Sequence, residues 1–234
     1  MLREWDKLPE FMKCKEVREY YDILNNKRMS IILKRSFDLM FGILLFVILL
    51  IPMLCIAFLI KVDSPGSVFY RQERVTAYGK SFKIHKFRTM VNNADELGIS
   101  ITLNGDKRIT KIGKILRKYR LDELPQLIDV IVGDMSFVGA RPEVKKYVKN
   151  YTNEMKATLL LPAGITSEAS IKYKDESQML TSTDNAEKKY IEFILPQKMR
   201  YNLDCIREFS CINELRTMAK TIKAVFSKEK KNEG

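Results

Sequence analysis

The sequence predicts a helix-rich α+β fold, with a small β-hairpin or sheet inside a helical domain that is entered through a proline-broken, re-entrant membrane helix. Three observations carry this prediction. LMFGILLFVILLIPMLCIAFLI, residues 39–60, is a run of 22 residues without a charge, about 33 Å long as a helix and enough to cross a hydrocarbon core. SVFYRQERV and KSFKIHKFRTM have strand composition and meet around Tyr78-Gly79, the pattern of two paired strands. KIGKILRKYRL and the stretch from Ile212 to Phe226 repeat apolar residues at helical spacing.

The 234 residues carry 41 Lys+Arg against 29 Asp+Glu, a net charge of +12. The chain is long enough for one domain, or one domain with an appendage. Its excess of cations favours a polyanionic partner: nucleic acid, anionic lipid or a phosphorylated substrate. Cys14, Cys55, Cys205 and Cys211 form no CxxC pair, so a reduced, cytosol-facing protein without disulfide framework or zinc site is expected. His85 is the single histidine, which argues against Ser-His-Asp chemistry and multi-histidine metal sites.

Residues 1–30 are expected to form a charged amphipathic helical arm, with Trp5, Phe11, Tyr20 and Tyr21 suited to a membrane surface. Residues 31–61 form the membrane helix. The run starts too deep and lacks the small-residue cleavage site expected of a signal peptide. Pro52 removes a backbone hydrogen bond within it. Lys27, Arg28, Lys34 and Arg35 before the run balance Lys61, Arg71, Arg74 and Lys80 after it. Orientation depends on a difference in flanking positive charge, and here there is none, so a helix that returns to the face it entered from is favoured over a span.

Residues 62–234 make the third segment. VDSPGS is a turn-rich exit from the membrane helix, and two strands follow. Lys86 and Arg88 lie two apart, so a strand would project both from one face, as a phosphate clamp or as a solvated edge. VNNADEL, 91–97, reads as a short helix stopped by Gly98, and NGD, 104–106, as a turn. KIGKILRKYRL suits a basic amphipathic helix in the headgroup layer. It delivers the chain to Asp122-Glu123. An aspartate there suits an N-cap, opening a helix through Leu124, Leu127 and Ile128. The same two carboxylates, near Lys86, Arg88, Arg117 and Arg141, suit Mg²⁺-assisted phosphoryl chemistry or a carboxylate nucleophile. GDMSFVGARPE suits a tight anion-binding loop around Arg141-Pro142. Ile212, Leu215, Met218, Ile222 and Phe226 form an apolar stripe expected to pack.

In order, KRSFDLMFGILLF…P, FYRQERV…GKSFKIHKFRTM, RITKIGKILRKYRLDELPQL and GDMSFVGARPE resemble the bacterial sugar transferases called small monotopic phosphoglycosyl transferases, from about Ile31 to Phe226. The resemblance implies an enzyme that moves a sugar 1-phosphate from a UDP-sugar to polyprenyl (undecaprenyl) phosphate. It implies a ping-pong reaction through a phosphosugar on Asp122, with UMP released and Mg²⁺ required. Glu123 is then metal ligand, base or orienting group, and both acids are metal-site residues. Lys86, Arg88, Arg117, Gln126, Arg141 and Pro142 become substrate-binding positions. A cytosol-facing catalytic domain on the bacterial inner membrane, starting exopolysaccharide, capsule or O-antigen synthesis, is implied as well. Two departures stand out: Ile51 precedes Pro52 where relatives often have serine, and LLLPAGITSEASIKYKDE lacks their PGITG and nearby tryptophan. The alternative from another class is a membrane-anchored basic module that binds anionic lipid or nucleic acid without turnover. Aromatics interleaved with cations on a nucleic-acid platform are not seen, so nucleic acid is not expected as a partner. Oligomeric state is left open.

Overall fold

The computed structural model describes residues 2–92, 94, 106–173 and 186–226. The expected helix over 91–97 and the turn at 104–106 fall largely outside these residues. The fold is helix-rich, as the patterning predicts, and holds two small sheets.

The N-terminal arm is not a free amphipathic helix. Short 3₁₀ turns at Trp5–Lys7 and Glu10–Met12 lead into α1, Lys15–Asn25. Val17, Tyr20, Tyr21 and Leu24 recur three and four apart on α1 and are all buried. They join Met12, Leu160, Leu195 and Met199 in the largest apolar cluster. Tyr20 and Tyr21, expected at a membrane surface, are core residues whose hydroxyls find protein acceptors on Glu154 and the Arg3 carbonyl. A tyrosine's polar tip permits burial once it is paired, and periodicity alone does not distinguish lipid from core.

The apolar run belongs to α2, Arg28–Asp63, which continues in helical form through Pro52. The boundary lies outside the predicted 31–61 because the flanking polar residues have partners on the domain. Along its length one side of α2 packs on protein. Phe41 and Leu45 lie on the cluster of Phe82, Ile84, Leu127, Val130 and Phe137. Met53 and Ile60 join Phe87 and Leu116. Phe46 and Leu49 touch both clusters. The other side presents Met40, Val47, Ile51, Leu54 and Phe58, each more than half exposed. Burying such a side chain fully is worth roughly 1.5–3 kcal/mol, so the exposed side is matched to lipid rather than water.

The hairpin forms as predicted. β1, Phe69–Val75, pairs antiparallel with β2, Ser81–Phe87, placing Tyr70 opposite Lys86. Tyr78 and Gly79 both take positive φ at the turn. Next come α3, Lys111–Lys118, and α4, Gln126–Val132. A second sheet was not foreseen: β3, Met135–Val138, runs parallel to β4, Ala163–Thr166. GDMSFVGARPE is therefore a buried strand feeding a loop, not a loop throughout. Gly139 and Gly164 let these backbones cross, because a Cβ on Gly164 would sit 2.1 Å from the Gly139 nitrogen. α5, Lys145–Val148, and α6, Glu168–Lys172, are short. α7, Ala186–Lys189, passes through a π turn at Tyr190–Ile194 into α8, Leu195–Arg207.

The last helix, α9, Cys211–Phe226, keeps Met218 of the expected stripe against the Phe82, Ile84 and Phe137 cluster but turns other members outward. Ile212, Leu215 and Ile222 are more than half exposed. Its inward stripe is polar: Glu214 bonds Lys34, Thr217 donates to Glu168, and Thr221 pairs with Thr166. Positions 214, 217 and 221 also share a helical face, and satisfying buried polar partners outweighs packing three aliphatic side chains.

Replacing Gly164 with alanine drives a methyl group into backbone that cannot yield. The expected loss is about 1–3 kcal/mol or more, read as a thermal midpoint lower by roughly 2–4 °C per kcal/mol. An unchanged midpoint would contradict the crossing geometry.

Candidate active site

The acidic pair sits in a tight turn between two helices. α3 ends at Tyr119, and Arg120 then takes left-handed backbone at φ 56° and ψ 22°. Such a conformation costs a non-glycine residue of order 1–3 kcal/mol and collects at functional sites. Leu121–Glu123 forms one 3₁₀ turn, and Pro125 opens α4. Leu121 and Leu124 anchor this turn against the Met53, Ile60, Phe87 and Leu116 cluster. Asp122 is therefore not the N-cap of a helix. No capping bond from its side chain exists, and its Oδ1 is buried with no hydrogen-bond partner among the described residues. A buried, unpaired carboxylate oxygen is costly, and its presence calls for a ligand or a chemical role.

Cation contacts of Glu123 converge on one oxygen. Its Oε1 accepts from Lys86 Nζ at 2.9 Å and Arg141 Nη2 at 2.5 Å, with Arg120 Nη1 at 3.9 Å. Lys86 arrives on β2 and Arg141 on the loop after β3. Arg117, in the last turn of α3, donates from Nε to Thr89 Oγ1 at 2.8 Å. Gly113 makes this approach possible, since a Cβ there would lie 2.1 Å from the Thr89 carbonyl oxygen. The Gln126 side chain is buried, and its Nε2 has no acceptor among the described residues. The structure thus gathers Lys86, Arg117, Arg141 and Gln126 around or beside the acids.

Two other predicted positions serve elsewhere. Arg88 does not share the Lys86 face: β2 ends at Phe87, and the guanidinium donates to the Pro65 carbonyl at 2.5 Å and the Ser64 carbonyl at 2.7 Å. It fastens the exit of α2. The Pro142 carbonyl accepts from Arg74 Nη1 at 3.1 Å, fixing the loop that carries Arg141. Among the described residues no group of three or more His, Cys, Asp or Glu side chains converges on a metal position. Asp122 and Glu123 remain the two adjacent carboxylates on offer to a hard cation.

A family model described as "Bacterial sugar transferase" matches residues 29–228. The chain belongs to the bacterial sugar transferase family. It is 32% identical over 195 residues to a UDP-glucose:undecaprenyl-phosphate glucose-1-phosphate transferase of Escherichia coli, covering 82% of this chain and 39% of that protein. It is 40% identical over 123 residues to a UDP-N-acetylgalactosamine-undecaprenyl-phosphate N-acetylgalactosaminephosphotransferase of Aeromonas hydrophila, covering 53% of this chain and 29% of that protein. With the exopolysaccharide production protein ExoY of Sinorhizobium fredii it shares 31% identity over 207 residues, covering 82% and 84% respectively. The chain thus spans well under half the length of the first two relatives and most of the third.

Electrostatics separates the two acids of this family member. Burial pushes the Asp122 carboxyl above the usual aspartate range, the Glu123 charge adds to it, and Lys86, Arg117 and Arg120 only partly offset it. Burial acts on Glu123 in the same direction, but Arg141, Lys86 and Arg120 together overcome it and hold that carboxyl well below its usual range. Arg141 is raised in return by Glu123. Lys86 and Arg117 are pushed down, chiefly by burial. Two neighbouring carboxylates thus differ: cation contacts favour the ionised form of one, and burial disfavours the ionised form of the other.

Three supporting groups escaped the sequence analysis. His85 donates its backbone N–H to Asp129 Oδ2 at 2.9 Å, with its Nδ1 2.6 Å from Oδ1. This locks β2, and so the adjacent Lys86, onto α4. Glu143, beside Pro142, accepts from the Tyr190 hydroxyl at 2.5 Å, and Lys198 completes that buried group at 3.1 Å from the hydroxyl. Asp38 of α2 accepts from Ser136 Oγ at 2.8 Å. Each partner lies tens of residues away along the chain, so no local pattern announces the pair.

The opposite shifts predict opposite effects on stability. For Asp122 the folded state disfavours the ionised form, so its charge destabilises at neutral pH, and the penalty is relieved as pH falls through the raised value. Glu123 contributes stability above its unfolded pKa and loses it as pH falls through the depressed value. Asp122→Asn should raise the thermal midpoint at pH 7. Glu123→Gln leaves buried cations without their counter-ion and should lower it. Differential scanning of both variants checks this, and midpoints moving in the same direction would contradict it.

Proposed function

We propose that the chain transfers a sugar 1-phosphate from a UDP-sugar to polyprenyl phosphate, with Asp122 as covalent nucleophile. The observation that carries this reading is the unpartnered Asp122 Oδ1, buried among cations and one turn from a buried amide donor, Gln126. A carboxylate whose ionised form burial disfavours, with an unshared oxygen, is primed to form a bond that removes its charge. Attack on the β-phosphorus forms the Oδ–P bond and breaks the bond to the bridging oxygen, which leaves with UMP. A phosphate oxygen of the polyprenyl acceptor then attacks the same phosphorus and returns Asp122 as carboxylate. Arg117 and Gln126 are placed to donate to phosphoryl oxygens, and Lys86 and Arg141, fixed by Glu123, supply the positive field that gathers charge in the transition state. Splitting transfer into two steps spares the site from holding both multiply charged phosphates together.

The donor set fits Mg²⁺, which is commonly held by one or two carboxylates plus substrate phosphates. Asp122 and Glu123 would hold it, and bound there it neutralises diphosphate charge. The relatives' names support the reaction class, with undecaprenyl phosphate as acceptor and UDP-glucose or UDP-N-acetylgalactosamine as donor in the first two.

We read α2 as re-entrant, with the catalytic domain on the cytosolic face of the inner membrane. Lys34, Arg35 and Asp38 before Pro52 bond the domain, and so does Asp63 after it. A spanning helix would carry one of these groups across a core about 30 Å thick. The consequent role is the initiating step of a surface glycan such as exopolysaccharide, capsule or O-antigen.

The test is incubation of membrane-extracted protein with a panel of UDP-sugars and Mg²⁺, without acceptor. One productive sugar should release UMP in a burst and add a phosphosugar mass to the peptide containing Asp122. Chelation should remove the burst and Mg²⁺ restore it. Asp122→Asn should abolish it, and the acid limb of the burst should lie above the ordinary aspartate range because the raised carboxyl must ionise first. Full turnover by Asp122→Asn, or no UMP release until acceptor is added, would contradict the covalent reading.

A further inference from the structure

The turn that carries the acids hangs between two short helices, and α2 grips the far end of each. On one side, Arg35 donates from Nη1 to the Val130 carbonyl at 2.7 Å and from Nη2 to the Ile131 carbonyl at 2.9 Å. These carbonyls lie at the C-terminus of α4, where the Val130 one shares its acceptor with the Gly133 N–H at 3.2 Å. Gly133 leaves the room, for a Cβ there would lie 3.1 Å from the Arg35 guanidinium. On the other side, Asp63 Oδ2 accepts from the Ile112 backbone N–H at 3.0 Å, in the first turn of α3. Thr110 caps the next donor, Gly113, and Asp63 supplies an acceptor for Ile112 from outside the helix. Arg35 lies before Pro52 and Asp63 after it.

We propose that Arg35 and Asp63 are positioning residues for the Asp122–Glu123 turn, pinning the two helices that flank it to opposite halves of one proline-containing membrane helix. The inference rests on the reading of Asp122 as nucleophile only for its catalytic consequence, not for the mechanics. The two routes between the pins differ in length. The 28 residue-to-residue steps from Arg35 to Asp63 cover about 42 Å as a straight helix. The 19 steps from Ile112 to Ile131, mostly helix and 3₁₀ turn, cover about 30 Å even fully in line. The reach of the Arg35 and Asp63 side chains takes up the difference, so any change in the bend of α2 is felt at both pins. Pro52 stands between the pins, where a missing hydrogen bond makes bending cheapest. The bend angle of α2 then sets the separation of α3 and α4, and through it the strained backbone at Arg120 and the direction of the acids. An environment that straightens or bends α2, such as a bilayer of different thickness, acts on the same coordinate.

The experiment follows hydrogen exchange of the 119–125 segment and steady-state kinetics, using the full chain in lipid nanodiscs. Asp63→Ala and Arg35→Ala should each raise exchange in 119–125 several-fold and lower kcat about tenfold, with KM within twofold, since small misplacement costs rate more than binding. Asp63→Asn keeps an oxygen for the Ile112 N–H and should restore both readouts toward wild type. The double alanine variant should be no worse than the more severe single one, because releasing either end already frees the turn. Should Arg35→Ala fail to fold, Arg35→Lys, which keeps the charge but loses the second bond, carries the same test with an intermediate increase in exchange. Unchanged exchange in 119–125, multiplying losses in the double variant, or an effect confined to KM would overturn the proposal. Exchange needs no substrate, so loosening of the turn in a chain that releases no UMP defeats the catalytic reading alone.

Discussion

The contact of Glu123 with Lys86 and Arg141 is the constraint on which the rest of the site depends. Two adjacent carboxylates are buried to within a tenth of full burial, which no fold tolerates without compensation. The compensation comes from distant parts of the chain: a lysine on the hairpin and an arginine on the loop after the second sheet. Glu123 draws both to one oxygen. Their field then falls on Asp122 without a direct bond to its Oδ1. The pair is arranged so that one acid is compensated by direct contact and its neighbour only by proximity.

The architecture outside the site serves that arrangement. The His85–Asp129 contact sets the hairpin on α4, so Lys86 reaches Glu123 from a fixed direction. The crossing of Gly139 and Gly164 fixes the second sheet, and Arg74, Glu143, Tyr190 and Lys198 hold the loop that bears Arg141. The long apolar helix is structural on one side and presents exposed apolar side chains on the other. Its polar residues Lys34, Arg35, Asp38 and Asp63 are spent on bonds to the domain. Membrane insertion and active-site geometry are therefore properties of the same helix.

What was legible in the sequence is what is local. Twenty-two uncharged residues, a hairpin turn at Tyr78-Gly79 and the helical periodicity of α3 each lie within a short window, and each appears in the structure. What was illegible depends on a partner remote in the chain. Arg88 looked like a twin of Lys86, but the strand ends between them and the carbonyls of Ser64 and Pro65 claim it. Tyr20 and Tyr21 have the amphipathic character of membrane-surface residues and yet are core. The final helix carries two stripes, apolar and polar, and only the existence of Lys34, Glu168 and Thr166 decides that the polar one faces inward. Asp122 read equally well as a helix cap, a role its turn does not give it. Side-chain chemistry indicated which groups matter, and tertiary pairing indicated what each one does.

The central claim, that neighbouring carboxylates are driven in opposite directions by burial and by direct cation contact, is tested most directly by titrating them. With carboxyl-¹³C aspartate and glutamate in metal-free nanodiscs, the Asp122 resonance, assigned through the Asp122→Asn spectrum, should titrate above the usual aspartate range. The Glu123 resonance should remain ionised well below the usual glutamate range. An Asp122 carboxyl that titrates at or below the ordinary value, or a Glu123 that protonates before it, would contradict the account.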